Sequence, residues 1–226
     1  MTAYDQHRAV GDPAAPVAPA DRPVVFLAGS RVGVSSGRLP NAVRDRVGTI
    51  VRRGMRVVIG DANGADRALQ MLLRELGHKD VSVIVGGTGR VRNLADPDWP
   101  VERIGADSPL TDKALMTIKD EAMGERATHG LMVWSDVYTN RFGRKSVSSG
   151  TLRNVWQLLS AGKPVALFYV PAGRFFDLKS LDDYEDLVLP LTAPIAQRYW
   201  RGKLARPGGS GANETEAPAQ ETLPGL

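Results

Sequence analysis

Residues 130–134 read Gly-Leu-Met-Val-Trp, and residues 148–154 read Ser-Ser-Gly-Thr-Leu-Arg-Asn. The first stretch is a continuous apolar run with the length of a buried strand. The second leads into a helix, because apolar residues recur at helical spacing from Thr151 to Ala161. A buried strand, a small glycine-containing turn and a helix are the parts from which parallel α/β sheets are built.

The same order of parts recurs along the chain. Apolar runs ending in glycine are predicted as strands at residues 23–29 and 56–60, and further strands at 81–85 and 164–169. Helical spacing predicts helices at residues 39–53, 64–76 and 110–126. Alternating strands and helices predict an α/β fold, a Rossmann-like three-layer sandwich with a mainly parallel sheet of five or more strands.

Composition sets the predicted boundaries. Residues 1–22 are rich in alanine and proline and are predicted to be a flexible leader, residues 23–200 a single domain, and residues 201–226 a disordered tail. Within the domain, residues 86–109 are long and irregular, which is typical of a functional loop or lid. Trp99 in that loop suggests a platform on which a base stacks.

Length and composition exclude several classes of function. The chain has 226 residues, of which 42% are hydrophobic and 24% charged, and no apolar run is long enough to span a bilayer. We expect a cytoplasmic protein with no membrane partner. There are no cysteines and only three scattered histidines, so we expect no metal and no cofactor. The net charge of +4 favours anionic ligands in general.

Three turns at predicted strand ends suit a phosphate group. They are Gly29-Ser30-Arg31, the segment 60–66 (Gly-Asp-Ala-Asn-Gly-Ala-Asp) and Ser149-Gly150-Thr151. Turns of this kind present backbone N–H groups and the positive end of a helix dipole. The predicted nucleotide contacts are therefore Gly29, Ser30, Arg31, Gly60, Gly64, Ala65, Asp66, Ser149, Gly150 and Thr151.

Some of these residues have ordinary structural interpretations as well. A carboxylate at a helix start is stabilised by the dipole, so Asp66 is as well explained by that role as by a contact with ribose. Arg141, Arg144 and Lys145 precede the third turn and are best explained as a solvated basic loop. The run from Gly86 to Gly89 is interpreted as a hinge.

The order of these motifs resembles that of the SLOG superfamily, Rossmann-like domains that include the LOG enzymes. Residues 60–66 are similar to the second turn of its YspA-like branch, and Lys119 and Met123, followed by a strand and Ser149-Gly150-Thr151, match its later motifs. The resemblance covers about residues 24–169. It implies a nucleotide or nucleotide derivative bound at the carboxyl ends of the strands.

Members of the superfamily either sense such molecules or cleave their N-glycosidic bond. The LOG enzymes carry an arginine and a glutamate where this chain has Lys119 and Asn154, and asparagine cannot act as a general base. A nucleotide-binding domain is therefore the leading hypothesis. The alternative is a LOG-like or deoxyribosyltransferase-like enzyme, with Glu121, Asp120 and Lys119 as candidate catalytic residues. Helical spacing directs Asp120 away from the face that carries Lys119.

A third hypothesis is binding of single-stranded DNA, as in the DNA-processing relatives. That function needs basic residues interleaved with aromatic ones. The sequence lacks that pattern, so we expect no nucleic-acid partner. Because related domains often pair, the resemblance also implies a homodimer.

Overall fold

The computed structural model describes residues 22–31, 39–106 and 110–204. The predicted leader, apart from Arg22, and most of the predicted tail lie outside these residues. So does most of the loop after the first predicted turn. The body extends past the predicted boundary at residue 200, because Trp200–Leu204 forms a π-helical turn in which Leu204 is buried.

A seven-stranded sheet forms the middle layer. Its strands lie in the order β4-β3-β2-β1-β5-β8-β9, and all neighbours are parallel except β8 and β9. These strands are β1 (Val24–Gly29), β2 (Arg56–Gly60), β3 (Val81–Gly86), β4 (Val101–Ile104), β5 (His129–Trp134), β8 (Val165–Tyr169) and β9 (Arg174–Leu178). A separate antiparallel hairpin consists of β6 (Val137–Thr139) and β7 (Lys145–Val147).

Helices cover both faces of the sheet, which confirms the predicted Rossmann-like three-layer α/β architecture. They are α1 (Asn41–Arg52), α2 (Ala65–Glu75), α3 (Asp112–Arg126), α4 (Ser149–Ser160), α5 (Leu181–Leu187) and α6 (Pro194–Tyr199). Successive side chains of a strand point to opposite faces. Val25 and Leu27 therefore pack in the core beneath α1 and α2, whereas Phe26 and Ala28 pack in the core beneath α3 and α4.

The irregular segment 86–109 differs from its prediction. It contains the edge strand β4, in which no residue is fully buried. The two middle residues of β4, Glu102 and Arg103, are charged. Trp99 is 2% exposed, and its indole N–H donates to the carbonyl of His78 at 3.0 Å. The suggestion that Trp99 stacks on a base is wrong, because the ring fills the core.

None of the helices in the described ranges is both long and apolar enough to cross a bilayer.

Candidate functional site

The order of strands reverses direction at β1. Chain connections run outward from β1 through β2 and β3 on one side, and through β5 and β8 on the other. The carboxyl ends of β1 and β5 therefore border a crevice where ligands of open α/β sheets bind. A cleft of about 760 Å³ lies there.

The cleft brings together most of the predicted site residues from four elements. Its lining includes Gly29, Ser30, Arg31, Asp66, Lys119, Asp120, Ser149, Gly150 and Thr151. Four predicted residues are not part of the lining: Gly60, Gly64, Ala65 and Glu121. Asn154 lines the cleft as well.

The amino end of α4 opens into this cleft. Ser148 precedes the helix, but its side chain makes no capping hydrogen bond, and the first turn contains no acidic residue. A Cβ atom on Gly150 would meet no other atom within 4 Å. Because the first amides of a helix have no intrahelical acceptor, α4 presents donors and a partial positive charge to the cleft.

Ser30 explains why Ser148 does not cap the helix. The two hydroxyl groups are hydrogen-bonded to each other at 2.9 Å, and Ser30 Oγ also accepts from the backbone N–H of Ser135 at 2.9 Å. Ser30 thus joins the ends of β1, β5 and α4. Its hydroxyl group has protein partners, so its role in the site is to hold these three ends together.

Gly29, Gly64 and Ala65 serve close packing beneath the cleft. A Cβ on Gly29 would lie 2.5 Å from both the Ala65 Cβ and the Val133 carbonyl oxygen. Gly64 has φ +88°, and a Cβ there would lie 2.5 Å from the carbonyl oxygen of Arg31. The second predicted turn therefore holds α2 tightly against the end of β1. The described structure does not bring Gly64 or Ala65 to the cleft surface.

A charged cluster of residues from α2 and α3 forms another part of the cleft lining. Lys119 is 3% exposed, and its Nζ lies 3.0 Å from Asp120 Oδ1. A Cβ on Gly60 would lie 2.7 Å from Asp66 Oδ2 and 2.8 Å from Lys119 Nζ, so these two groups cover Gly60 closely. Because Gly60 has no side chain, it leaves the space that the Asp66 carboxylate and the Lys119 ammonium group occupy. The expectation that Asp120 points away from Lys119 is wrong, because the ammonium group reaches across to its carboxylate.

Glu121 lies outside this cluster. Its side chain is exposed, and its backbone carbonyl accepts a hydrogen bond from Gln157 Nε2 at 3.0 Å. The structure thus places Lys119 and Asp120, but not Glu121, at the cleft.

Sequence reasoning missed Arg92. Its guanidinium and backbone N–H donate to Asp61, at 3.1 Å to Oδ1 and 3.0 Å to Oδ2. Burial disfavours the charged form of Asp61, but the hydrogen bonds from Arg92 outweigh it, and the pKa of Asp61 lies below its usual value. Arg92 lies in a segment without periodicity, so the only signal available was its charge.

Asn154 contributes an unsatisfied polar group to the cleft wall. The residue is 3% exposed, and its Oδ1 has no hydrogen-bond partner. A buried polar group without a partner costs roughly 1–3 kcal/mol. The free protein therefore holds an unsatisfied acceptor in a residue that lines the cleft.

Asp66 is the titratable group most strongly shifted in the cleft. Burial raises the pKa of Asp66 to about 6, and the positive charge of Lys119 offsets only part of this rise. A carboxyl group that titrates near neutrality inside a cleft is typical of functional sites, although buried structural pairs show it as well.

The raised pKa predicts how stability depends on pH. Below pH 3.8 Asp66 is protonated in both the folded and the unfolded chain, and from there to about pH 6 only the folded chain keeps the proton. The free energy of unfolding therefore falls as pH rises through this window, by about 3 kcal/mol for two pKa units. We expect Asp66→Asn to remove this fall. Urea denaturation at pH 4.5 and pH 7.5 measures about 2 kcal/mol of this fall, and equal pH dependence in both proteins would contradict the role of Asp66.

No model of a known protein family matches the chain, and no curated protein is significantly similar to it. The resemblance to the SLOG superfamily therefore stays a prediction. Functional inference rests on the cleft itself.

Proposed function

We propose that the cleft binds a nucleotide or a nucleotide derivative, with a phosphate group at the amino end of α4. The observation that carries the proposal is that this end is uncapped, free of acidic residues and open to a large cleft. Backbone N–H groups at Ser149, Gly150 and Thr151 are the proposed donors. A helix N-terminus favours anions through these groups and through its dipole.

The charge around α4 supports an anionic ligand. No acidic residue occurs between Asp136 and Asp177, a segment that contains the hairpin and all of α4. Arg153 and Arg31 line the cleft on either side of the helix end. The charged side chains that α4 and the hairpin offer to a phosphate group here are therefore all positive.

Other lining residues of the cleft support the rest of a nucleotide. Asp66, Lys119 and Asp120 offer carboxylate acceptors and an ammonium donor, which suit sugar hydroxyl groups. Val85 and Met116 add apolar lining, which suits the face of a base. A volume of about 760 Å³ falls within the usual range for small-molecule sites.

A thermal-shift panel tests the proposal. A ligand that binds only the folded state at 100 times its Kd stabilises it by about 2.7 kcal/mol, or roughly 5–10 °C in Tm for a domain of this size. We expect this rise with nucleoside mono-, di- or triphosphates and a much smaller one with nucleosides. No rise with any nucleotide, or an equal rise with nucleosides, would contradict the proposed phosphate contact.

The second candidate function is cleavage or transfer at an N-glycosidic bond. It is favoured by the two carboxylates, Asp66 and Asp120, that line the cleft beside Lys119. Asp66, with its raised pKa, is suited to donate a proton to the leaving base, and Asp120 to stabilise positive charge on the ribosyl group.

Base release distinguishes the two functions. Nucleoside 5′-monophosphates are incubated with the protein, and free base is quantified by chromatography. Release that Asp66→Asn and Asp120→Asn abolish supports the enzyme. Tight nucleotide binding without release supports the binding domain.

A further inference from the structure

The side-chain oxygen of Asn154 is a buried polar atom that the protein leaves without a partner. Its Oδ1 has no hydrogen bond, although the residue is 3% exposed and lines the cleft. In the part of the chain that the structure describes, one other buried side-chain atom is in this state, the hydroxyl of Tyr184. That hydroxyl lies in the aromatic cluster with Trp134 and Trp200, not at the cleft.

The position of Asn154 on α4 relates it to the proposed phosphate site. It follows Gly150 by four residues, so both lie on one face of the helix, about 6 Å apart along its axis. In a 5′-nucleotide the ribose is bonded directly to the phosphate group. A phosphate at the end of α4 therefore places the ribose beside the next helical turn, where Asn154 lies.

Three other charged residues that line the cleft also suit a ribose. Asp66 and Asp120 are acceptors for hydroxyl hydrogens, and Lys119 is a donor to hydroxyl oxygens. An asparagine adds both a donor and an acceptor without adding negative charge near the phosphate.

We infer that the Asn154 carboxamide hydrogen-bonds to the ribose hydroxyl groups of the bound nucleotide, so that the cleft selects ribonucleotides over nucleotides that lack these hydroxyls. This inference rests on the proposed nucleotide site. A site with a buried polar group discriminates against a ligand that leaves this group unpaired.

The first test compares ligands on the unaltered protein. Calorimetric titrations measure the Kd for a ribonucleoside 5′-monophosphate and for its 2′,3′-dideoxy analogue. We expect the dideoxy compound to bind about 10-fold or more weakly. Equal Kd values would overturn the inference and leave the proposed nucleotide site intact, whereas failure of both compounds to bind would count against the proposed site as well.

The second test replaces the carboxamide with an apolar side chain of the same branching. We expect Asn154→Leu to bind the ribonucleotide about 10-fold more weakly and the dideoxy analogue with unchanged affinity. We also expect its Tm without ligand to be unchanged or higher, because an unpaired polar group has been removed. Undiminished selectivity for the ribonucleotide would overturn the inference. A Tm several degrees lower would do so too, because it would show that the protein itself uses the carboxamide.

A matched control comes from the same helix. Gln157 also carries a carboxamide, but its Nε2 donates to the Glu121 carbonyl, and it does not line the cleft. We expect Gln157→Leu to lower the Tm while keeping the preference for the ribonucleotide. Loss of that preference in the control would overturn the specific role of Asn154.

Discussion

We expect Gly150→Asp to raise the Kd for a nucleotide at least 100-fold while the protein stays folded. A Cβ at this position meets no neighbouring atom, so the side chain enters the cleft without a clash. The new carboxylate lies beside the anion site and repels a phosphate group there, at an effective cost of about 4 kcal/mol for unit charges about 4 Å apart near a protein surface. Isothermal titration calorimetry measures the change.

The free energy of unfolding of Gly150→Asp is expected to rise. Replacing glycine inside a helix gains roughly 0.5–1 kcal/mol, and a carboxylate in the first turn gains roughly 0.3–1 kcal/mol from the dipole. Gly150→Asn, which has nearly the same shape without the charge, is the control and keeps most of the affinity. Equal losses in the two variants would show that shape, and not charge, governs the site.

Gly29→Ala is expected to destabilise the fold by 3 kcal/mol or more. The added methyl group would lie 2.5 Å from the Val133 carbonyl oxygen and 2.5 Å from the Ala65 Cβ. Relief requires both that β1 separate from β5 and that α2 move away from the sheet. Overpacking of a tight core typically costs about 1–3 kcal/mol, and here one of the obstructing atoms is backbone. Urea denaturation followed by circular dichroism measures the change.

Two further variants keep this prediction testable if Gly29→Ala does not fold. Gly150→Ala makes the same substitution where the methyl group is free, and is expected to cost nothing. Adding Ala65→Gly to Gly29→Ala removes one clash and leaves the other, so partial recovery is expected. A Gly29→Ala protein within 1 kcal/mol of the unaltered one would contradict the packing described at β1.

Strands that are buried on both faces could be predicted from the sequence. β1, β2, β3, β5 and β8 are continuous apolar runs, because helices cover both sides of each. The edge strands β4 and β9 were missed. Their exposed positions carry charged residues such as Arg103 and Asp177, which break the apolar run.

The candidate site could be predicted where it follows from local order along the chain. Strand-end turns predicted Ser149, Gly150 and Thr151, and the direction of parallel strands predicted that these turns meet. The pairing of charged side chains that line the cleft could not be predicted in this way. The Lys119 side chain folds back so that its ammonium group meets the carboxylate of its neighbour Asp120. The Asp61–Arg92 pair joins residues 31 positions apart.

The most direct test of the central claim follows the backbone amides of α4. Two-dimensional ¹H–¹⁵N NMR spectra are recorded as a nucleoside 5′-monophosphate is added. We expect large downfield shifts of the Ser149, Gly150 and Thr151 amide protons, and no change at Gly143 in the hairpin turn. Saturable nucleotide binding that leaves the α4 amides unmoved would contradict the claim.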